Sequence, residues 1–261
     1  MRHCHISIMC NELSFIKNKL PFLYKHFSQL IFVDYNIVDK CNSIDGTIDY
    51  IENFNDIDNK ITLIKDFDPS KVIEYYGMSI IEKRKMFAEG SKYIYDDIDI
   101  VWATDLDEFF EKDLISDVED IYINDTQLVS IDLPHMIFAY NQFNIFNKKD
   151  FYIKPRITRH KKGFIYGHCN FDTYGKTIKY TKRYLYHFAF VGYNRCEFKF
   201  NKVYKNNNMK PWLETYSNAV TKKEKYVTLY HPAISNLYTI PYNGIYPEYI
   251  DIDNMCKNLE K

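Results

Sequence analysis

The run Val101-Trp102-Ala103-Thr104-Asp105-Leu106-Asp107-Glu108-Phe109-Phe110 is the part of this sequence best suited to chemistry. An apolar stretch that reads as a buried strand delivers two carboxylates spaced i, i+2 at its C-terminal end, where open α/β sheets place their ligands. On a bent exit from the strand both can turn to one divalent cation. Hard oxygen ligands with positions left open for phosphate suit Mg2+ or Mn2+, which can bridge the carboxylates to a diphosphate. A D-x-D pair alone is weak: 56–58, 66–68, 97–99 and 251–253 carry it too, and only 105–107 directly follows a strong buried strand. The plain alternative is a solvated acidic loop in which Asp107 or Glu108 caps a helix.

The preceding elements must hold that strand. His5-Ile6-Ser7-Ile8-Met9-Cys10 reads as a buried strand, and residues 12–28 as a helix with apolar positions at 15, 16, 20, 23, 24 and 27. Leu30-Ile31-Phe32-Val33 is a second strand ending at Asp34, and Ser43-Ile44-Asp45-Gly46-Thr47 is a turn and helix start leading into a helix over 48–54. Ile61-Thr62-Leu63-Ile64 is a third strand, residues 77–88 carry a helical pattern that extends through 91–94, and 98–103 is the fourth strand. Such alternation predicts a parallel sheet with helices on its faces. Beyond it, 128–131 and 136–140 read as two strands flanking Pro134, 151–191 as short irregular strands, 196–204 as a short helix, and Lys210-Pro211-Trp212 as the start of a loop-rich tail with a packing Trp.

Taken together, these motifs resemble glycosyltransferases of the GT-A fold, particularly the family-two-like branch whose strand-end motif reads D-x-D-E-F. Cys10-Asn11-Glu12 looks like that branch's N-E opening. Val33-Asp34 followed by Ser43-Ile44-Asp45-Gly46-Thr47 looks like its D-N-x-S-x-D-G-T stretch with extra residues inserted. Arg84 resembles the basic residue it carries about twenty positions before the D-x-D. Tyr186-His187-Phe188 with Glu197 and Lys202 resembles its H-Y … S-x-E-x-x-x-x-K segment. The likeness covers 5–110 well and 180–205 loosely.

The resemblance implies an α/β, Rossmann-like GT-A fold: a mostly parallel central sheet, helices on both faces, and a smaller mixed region on the acceptor side. It divides the chain into a donor half (1–125), an acceptor-side half (126–215) and a tail (216–261). It implies an inverting, metal-dependent transfer of sugar from a nucleotide diphosphate donor, UDP- or GDP-linked, to a hydroxyl of a glycan, lipid-linked or protein acceptor. Asp105, Asp107 and His187 would hold Mn2+ or Mg2+; Asn11, Glu12, Asp34, Asp45, Arg84 and Asp105 would face the donor; Glu197, or else Asp172, would take the acceptor's proton. The duller readings are a core histidine at His187, a simple turn at Asp45-Gly46, and a Glu197 tied to Lys199 or Lys202. A nucleotidyltransferase with a similar metal site and a non-catalytic binding module are the alternatives in other classes.

Composition narrows the field. The 261 residues are 46% hydrophobic and 26% charged, a globular balance that excludes intrinsic disorder and collagen-like repeats. The formal net charge of −1 hides a split: residues 1–150 carry 27 acids and 15 basic residues, residues 151–261 carry 8 and 19. The segment 154–183 alone holds nine Lys and Arg, a face for solvent, for donor diphosphate or for an acidic acceptor; without a nucleic-acid module's motif it does not indicate nucleic acid. Six cysteines without C-x-x-C spacing read as reduced thiols in a cytoplasmic protein, and no apolar run approaches the roughly 18 residues of a membrane span. The absence of G-x-x-x-x-G-K-[ST], G-x-G-x-x-G and G-x-S-x-G removes the P-loop, the dinucleotide fingerprint and the hydrolase elbow.

Overall fold

The computed structural model describes residues 1–36, 39–65, 67–68, 81–147, 153–164, 166, 175–198, 210–230 and 237–259, with the backbone alone for 81–84. The first half is the expected alternation: β1 (His3–Met9), α1 (Leu13–His26), β2 (Gln29–Asp34), α2 (Thr47–Glu52), β3 (Ile61–Ile64), α3 (Ile81–Ser91) and β4 (Ile100–Ala103). These strands lie in the parallel order β3-β2-β1-β4. Their apolar side chains alternate between faces, as a strand's period of two requires. Leu30, Phe32, Ile100 and Trp102 pack with Phe15, Leu20 and Leu23 of α1, whereas Ile6, Ile8, Ile31, Val33 and Val101 pack with Met86 and Phe87 of α3. Helices therefore cover both faces, and the chain has the expected α/β architecture with a Rossmann-like parallel half.

On the far side of β4 the sheet becomes mixed. β5 (Glu108–Phe109), α4 (Asp113–Asn124), β6 (Leu128–Tyr140), β7 (Asn144–Phe146), β8 (Ile153–Arg159), β9 (Lys176–Lys179) and β10 (Leu185–Val191) follow, then α5 (Tyr193–Phe198), α6 (Lys210–Lys222), β11 (Thr239–Pro241) and α7 (Ile252–Leu259). β8 runs antiparallel between β4 and β6. β10 is parallel to β6 and antiparallel to β5, which ties the turn after β4 to the second half of the chain.

Three expectations need correction. The strands expected to flank Pro134 are one 13-residue strand, β6. Its neighbour β9 pairs with residues 128–132 and β10 takes over from His135, so on that side Pro134 falls at the changeover between partners, while on the other it is in register with Ile153 of β8. Lys210-Pro211-Trp212 opens helix α6, not a loop: Pro211 sits in the first turn, where a helix needs no N–H. Trp212 is buried there among Phe190 and Tyr216. The short helix expected at 196–204 begins earlier, at Tyr193, and 199–209 lie outside the described residues. The five described cysteines are free thiols, and burial, reinforced by Glu12, Asp34 and Asp45, pushes Cys10 up to about 12. Among the described residues, no helix is long and apolar enough to cross a membrane.

Candidate functional site

The turn after β4 is built from beneath. Thr104 receives bonds on both its oxygens: His5 Nε2 lies 2.7 Å and Lys19 Nζ 3.0 Å from Oγ1, and Ser7 Oγ donates to the main-chain oxygen at 2.6 Å. Lys19, on α1, is fully buried and also donates to the main-chain oxygens of Asp105 at 2.7 Å and Glu108 at 2.6 Å. Burial lowers its pKa to about 8 against the raising pull of Glu108, Asp107 and Asp105. The turn closes on itself, since Glu108 N donates to Asp105 O and Asp105 N donates to Glu108 Oε2, both at 3.1 Å. Phe188 N of β10 then donates to Asp107 O at 2.9 Å. Asp105 and Asp107 thus stand on a pinned turn at the C-terminal edge of the parallel strands.

Asp107 is 3% exposed and is held by Arg195 of α5, which pairs with Oδ2 and lies 3.3 Å from Glu12 Oε1. The other guanidinium nitrogen donates to the main-chain oxygens of Phe188 and Ala189 at 2.9 Å each. Burial works against the charge on Arg195, yet Glu12 and Asp107 outweigh it and raise its pKa. Asp107 Oδ1 faces His187 Nε2 at 3.6 Å. Behind it, Glu108 and Arg156 form an ion pair with both side chains fully buried, and His135 Nδ1 lies 3.6 Å from Glu108 Oε1.

Asp107 and His187 fit a divalent cation as a pair: Nε2 and Oδ1 are farther apart than a hydrogen bond and at the spacing of two ligands on one ion. Among the described residues, the group of three whose ligand atoms all lie within 4.8 Å of one another is Glu108, His135 and His187, and Asp105 is not in it.

The remaining sequence-predicted residues separate into groups. Asn11, Asp34 and Asp45 are brought together in a brace between the β1–α1 corner and the 43–47 turn. Asn11 takes a left-handed φ of 55°, accepts from Ile44 N at 2.8 Å, and donates its own N–H to Ser43 Oγ at 2.7 Å. Asp34 is buried with both oxygens accepting from Ser43; burial raises its pKa and the Ser43 bonds oppose that. Asp45 accepts from Leu13 N at 2.9 Å and Thr47 N at 3.0 Å, tying down the starts of α1 and α2. Glu12 extends from this brace to Arg195. Glu197 is exposed on α5, two residues beyond Arg195 and so on another side of that helix. Asp172, Lys202 and the side chain of Arg84 lie outside the described residues.

Four of the nine basic residues of 154–183 pair with acids of this chain. Arg156 meets Glu108, Arg183 meets Glu111 and Asp117, Lys176 meets Asp125, and Lys162 meets Asp96. Arg159 donates to main-chain oxygens at the end of α4. Sequence reasoning missed Lys19, His135, Arg156 and Arg195. Two signals were present: Lys19 interrupts the apolar stripe of α1, and arginine is scarce here, six against 28 lysines.

The structure is similar to the crystal structure of S. aureus TarS 1-349, at 14% identity and a TM-score of 0.39, over 61% of this chain and 47% of that one. It is also similar to a 4-diphosphocytidyl-2C-methyl-D-erythritol synthase from Anaerococcus prevotii, at 10% identity and a TM-score of 0.39, over 69% of this chain and 86% of the other. The match spans about half the length of the TarS chain. No family model matches the sequence, and no curated protein matches it.

Proposed function

We propose that the chain is a metal-dependent glycosyltransferase that moves a sugar from a UDP- or GDP-sugar to an acceptor hydroxyl with inversion. One observation carries this reading: Asp107, on the pinned turn after β4, meets His187, delivered from the other half of the chain by β10. Asp105, Asp107 and His187 would hold Mn2+ or Mg2+, which supplies charge neutralisation at a departing diphosphate. Residues 1–125 then form the donor side, with Asn11, Glu12, Asp34, Asp45 and Arg84 around the nucleotide, and residues 126–215 the acceptor side.

Within this scheme Lys19 fixes the height of the carboxylates by holding the main chain of their turn. Arg195 orients Asp107 by binding the oxygen turned away from His187. Glu197, exposed on a side of α5 other than that of Arg195, or else Asp172, would accept the acceptor's proton, the role an inverting transfer needs in line behind the anomeric carbon.

The test is calorimetric titration of UDP and GDP in the presence of Mn2+. Asp105→Ala and Asp107→Ala should lose metal-dependent binding while keeping the fold, and His187→Ala should weaken it less. Unchanged affinity in both aspartate variants overturns the reading. With a donor identified, Glu197→Gln should keep nucleotide binding and lose transfer by a factor on the order of 10²–10⁴.

A further inference from the structure

Three ligand atoms behind the aspartates point at one place. Nδ1 of His135, on β6, and Nδ1 of His187, on β10, face each other at 3.5 Å. Both face Glu108 Oε1, on β5, at 3.6 Å and 3.9 Å. Each of these gaps exceeds an ordinary N–H···O separation of about 2.7–3.2 Å. They have instead the spacing of atoms around a shared ion. A point equidistant from all three lies about 2.1 Å from each, which matches zinc–imidazole and zinc–carboxylate bonds of roughly 2.0–2.2 Å.

We propose that Glu108, His135 and His187 form a second cation site, for a zinc-class transition-metal ion, distinct from the hard-cation position at Asp105 and Asp107. Two imidazoles and one carboxylate favour such a metal over Mg2+, which prefers oxygen ligands and keeps its water. Glu108 and His135 are fully buried, on β5 and β6, the two strands that flank β10 and its His187.

Arg156 also binds Glu108 Oε1, and that does not close the site. A carboxylate oxygen has two lone pairs, so a guanidinium can hold one direction and a metal the other. The charge balance also favours a cation: Glu12, Asp105, Asp107 and Glu108 outnumber Lys19, Arg156 and Arg195. His187 Nε2 stays turned toward Asp107 Oδ1, 3.6 Å away, so the ring would stand between the two cation positions. The inner ion would fasten the turn carrying both aspartates to β6 and β10.

The experiment uses the full chain, stripped with a chelator and titrated with Zn2+ alone, without nucleotide. About one Zn2+ per chain should bind. His135→Gln should weaken that binding by roughly a hundredfold or more, since loss of a ligand costs more than the 10–100-fold of an outer-shell change. Asp105→Ala should leave it unchanged. His135→Gln should still bind UDP or GDP with Mn2+ if the glycosyltransferase reading holds, so the two proposals can fail separately. Co2+ in the unaltered chain supplies a readout that needs no variant: intense visible absorption of a low-coordinate, nitrogen-ligated ion is expected. No Zn2+ binding, equal affinity in folded His135→Gln, loss in Asp105→Ala, or the weak absorption of six-coordinate, oxygen-ligated Co2+ would each overturn the proposal.

Discussion

Lys19 Nζ lies 2.7 Å from the main-chain oxygen of Asp105, although 86 residues separate them. The contact makes α1 a foundation for the acidic turn, because the same ammonium also holds Glu108 O. Lys19→Met keeps the buried stem and removes the donor. At pH 7 the loss of partners for Thr104, Asp105 and Glu108 should outweigh relief from burying a charge, for a net destabilisation of about 1–3 kcal/mol by urea unfolding. Mn2+-dependent nucleotide binding should weaken in parallel.

The same lysine gives a pH signature. Its folded pKa of about 8 lies below a lysine's ordinary 10.5, so between these limits the unfolded chain binds more protons than the folded one. Stability contributed at this position therefore rises with pH through that window, by on the order of 3 kcal/mol in total. The stability advantage of the wild-type chain over Lys19→Met should widen from pH 8 to pH 10. A difference that stays flat across this range contradicts the burial of a charged ammonium.

Glu108 and Arg156 form a buried pair, and removing one partner strands the other. Arg156→Met should cost about 3–5 kcal/mol, and the double variant Glu108→Gln with Arg156→Met should recover much of that loss. Denaturant unfolding of both, compared in a double-mutant cycle, measures the coupling.

Arg195 competes with a cation for Asp107. Arg195→Ala removes a like charge from the site and frees Oδ2, so Mn2+ alone should bind roughly tenfold tighter, by electron paramagnetic resonance titration. Weaker Mn2+ binding in a folded variant would place the ion elsewhere.

Two glycines with left-handed backbones separate strain from crowding. Gly163, φ +80°, has nothing within 4 Å of an added Cβ, and Gly163→Ala should cost about 1–2 kcal/mol from backbone conformation alone. Gly192, φ +88°, precedes α5, and its Cβ would lie 2.6 Å from Leu259 O of α7. Gly192→Ala should add a further 1–3 kcal/mol for the collision, seen as a larger drop in Tm.

The first half was legible because each strand is a short apolar run bounded by turn residues and each crossover helix carries a 3.6 period. That is why β1 to β4 lie within a few residues of where the sequence places them. Pro134 and Pro211 were misread because proline's local rule depends on tertiary position: one sits at a change of strand partners, the other in a first helical turn. Asp105, Asp107 and His187 stand out in the sequence through their motifs, and the structure brings Asp107 and His187 to 3.6 Å of each other. His135 and Arg156 were not, since their meeting depends on pairing between β6 and β8, which no local pattern encodes. Asp34 and Asp45, conspicuous in sequence, bond into the brace between the β1–α1 corner and the 43–47 turn, a link that depends on the two segments meeting.

The bond from Arg195 to Asp107 spans 88 residues, and the one to Glu12 spans 183. Contacts this distant in sequence carry a large loop-closure cost and arise late as a chain folds. A chain emerging from the ribosome therefore presents both carboxylates of the acidic turn long before α5 exists to hold Asp107 or β10 to supply His187. Cation affinity should develop only when the final third of the chain has docked, so it reports on the completed joining of the two halves.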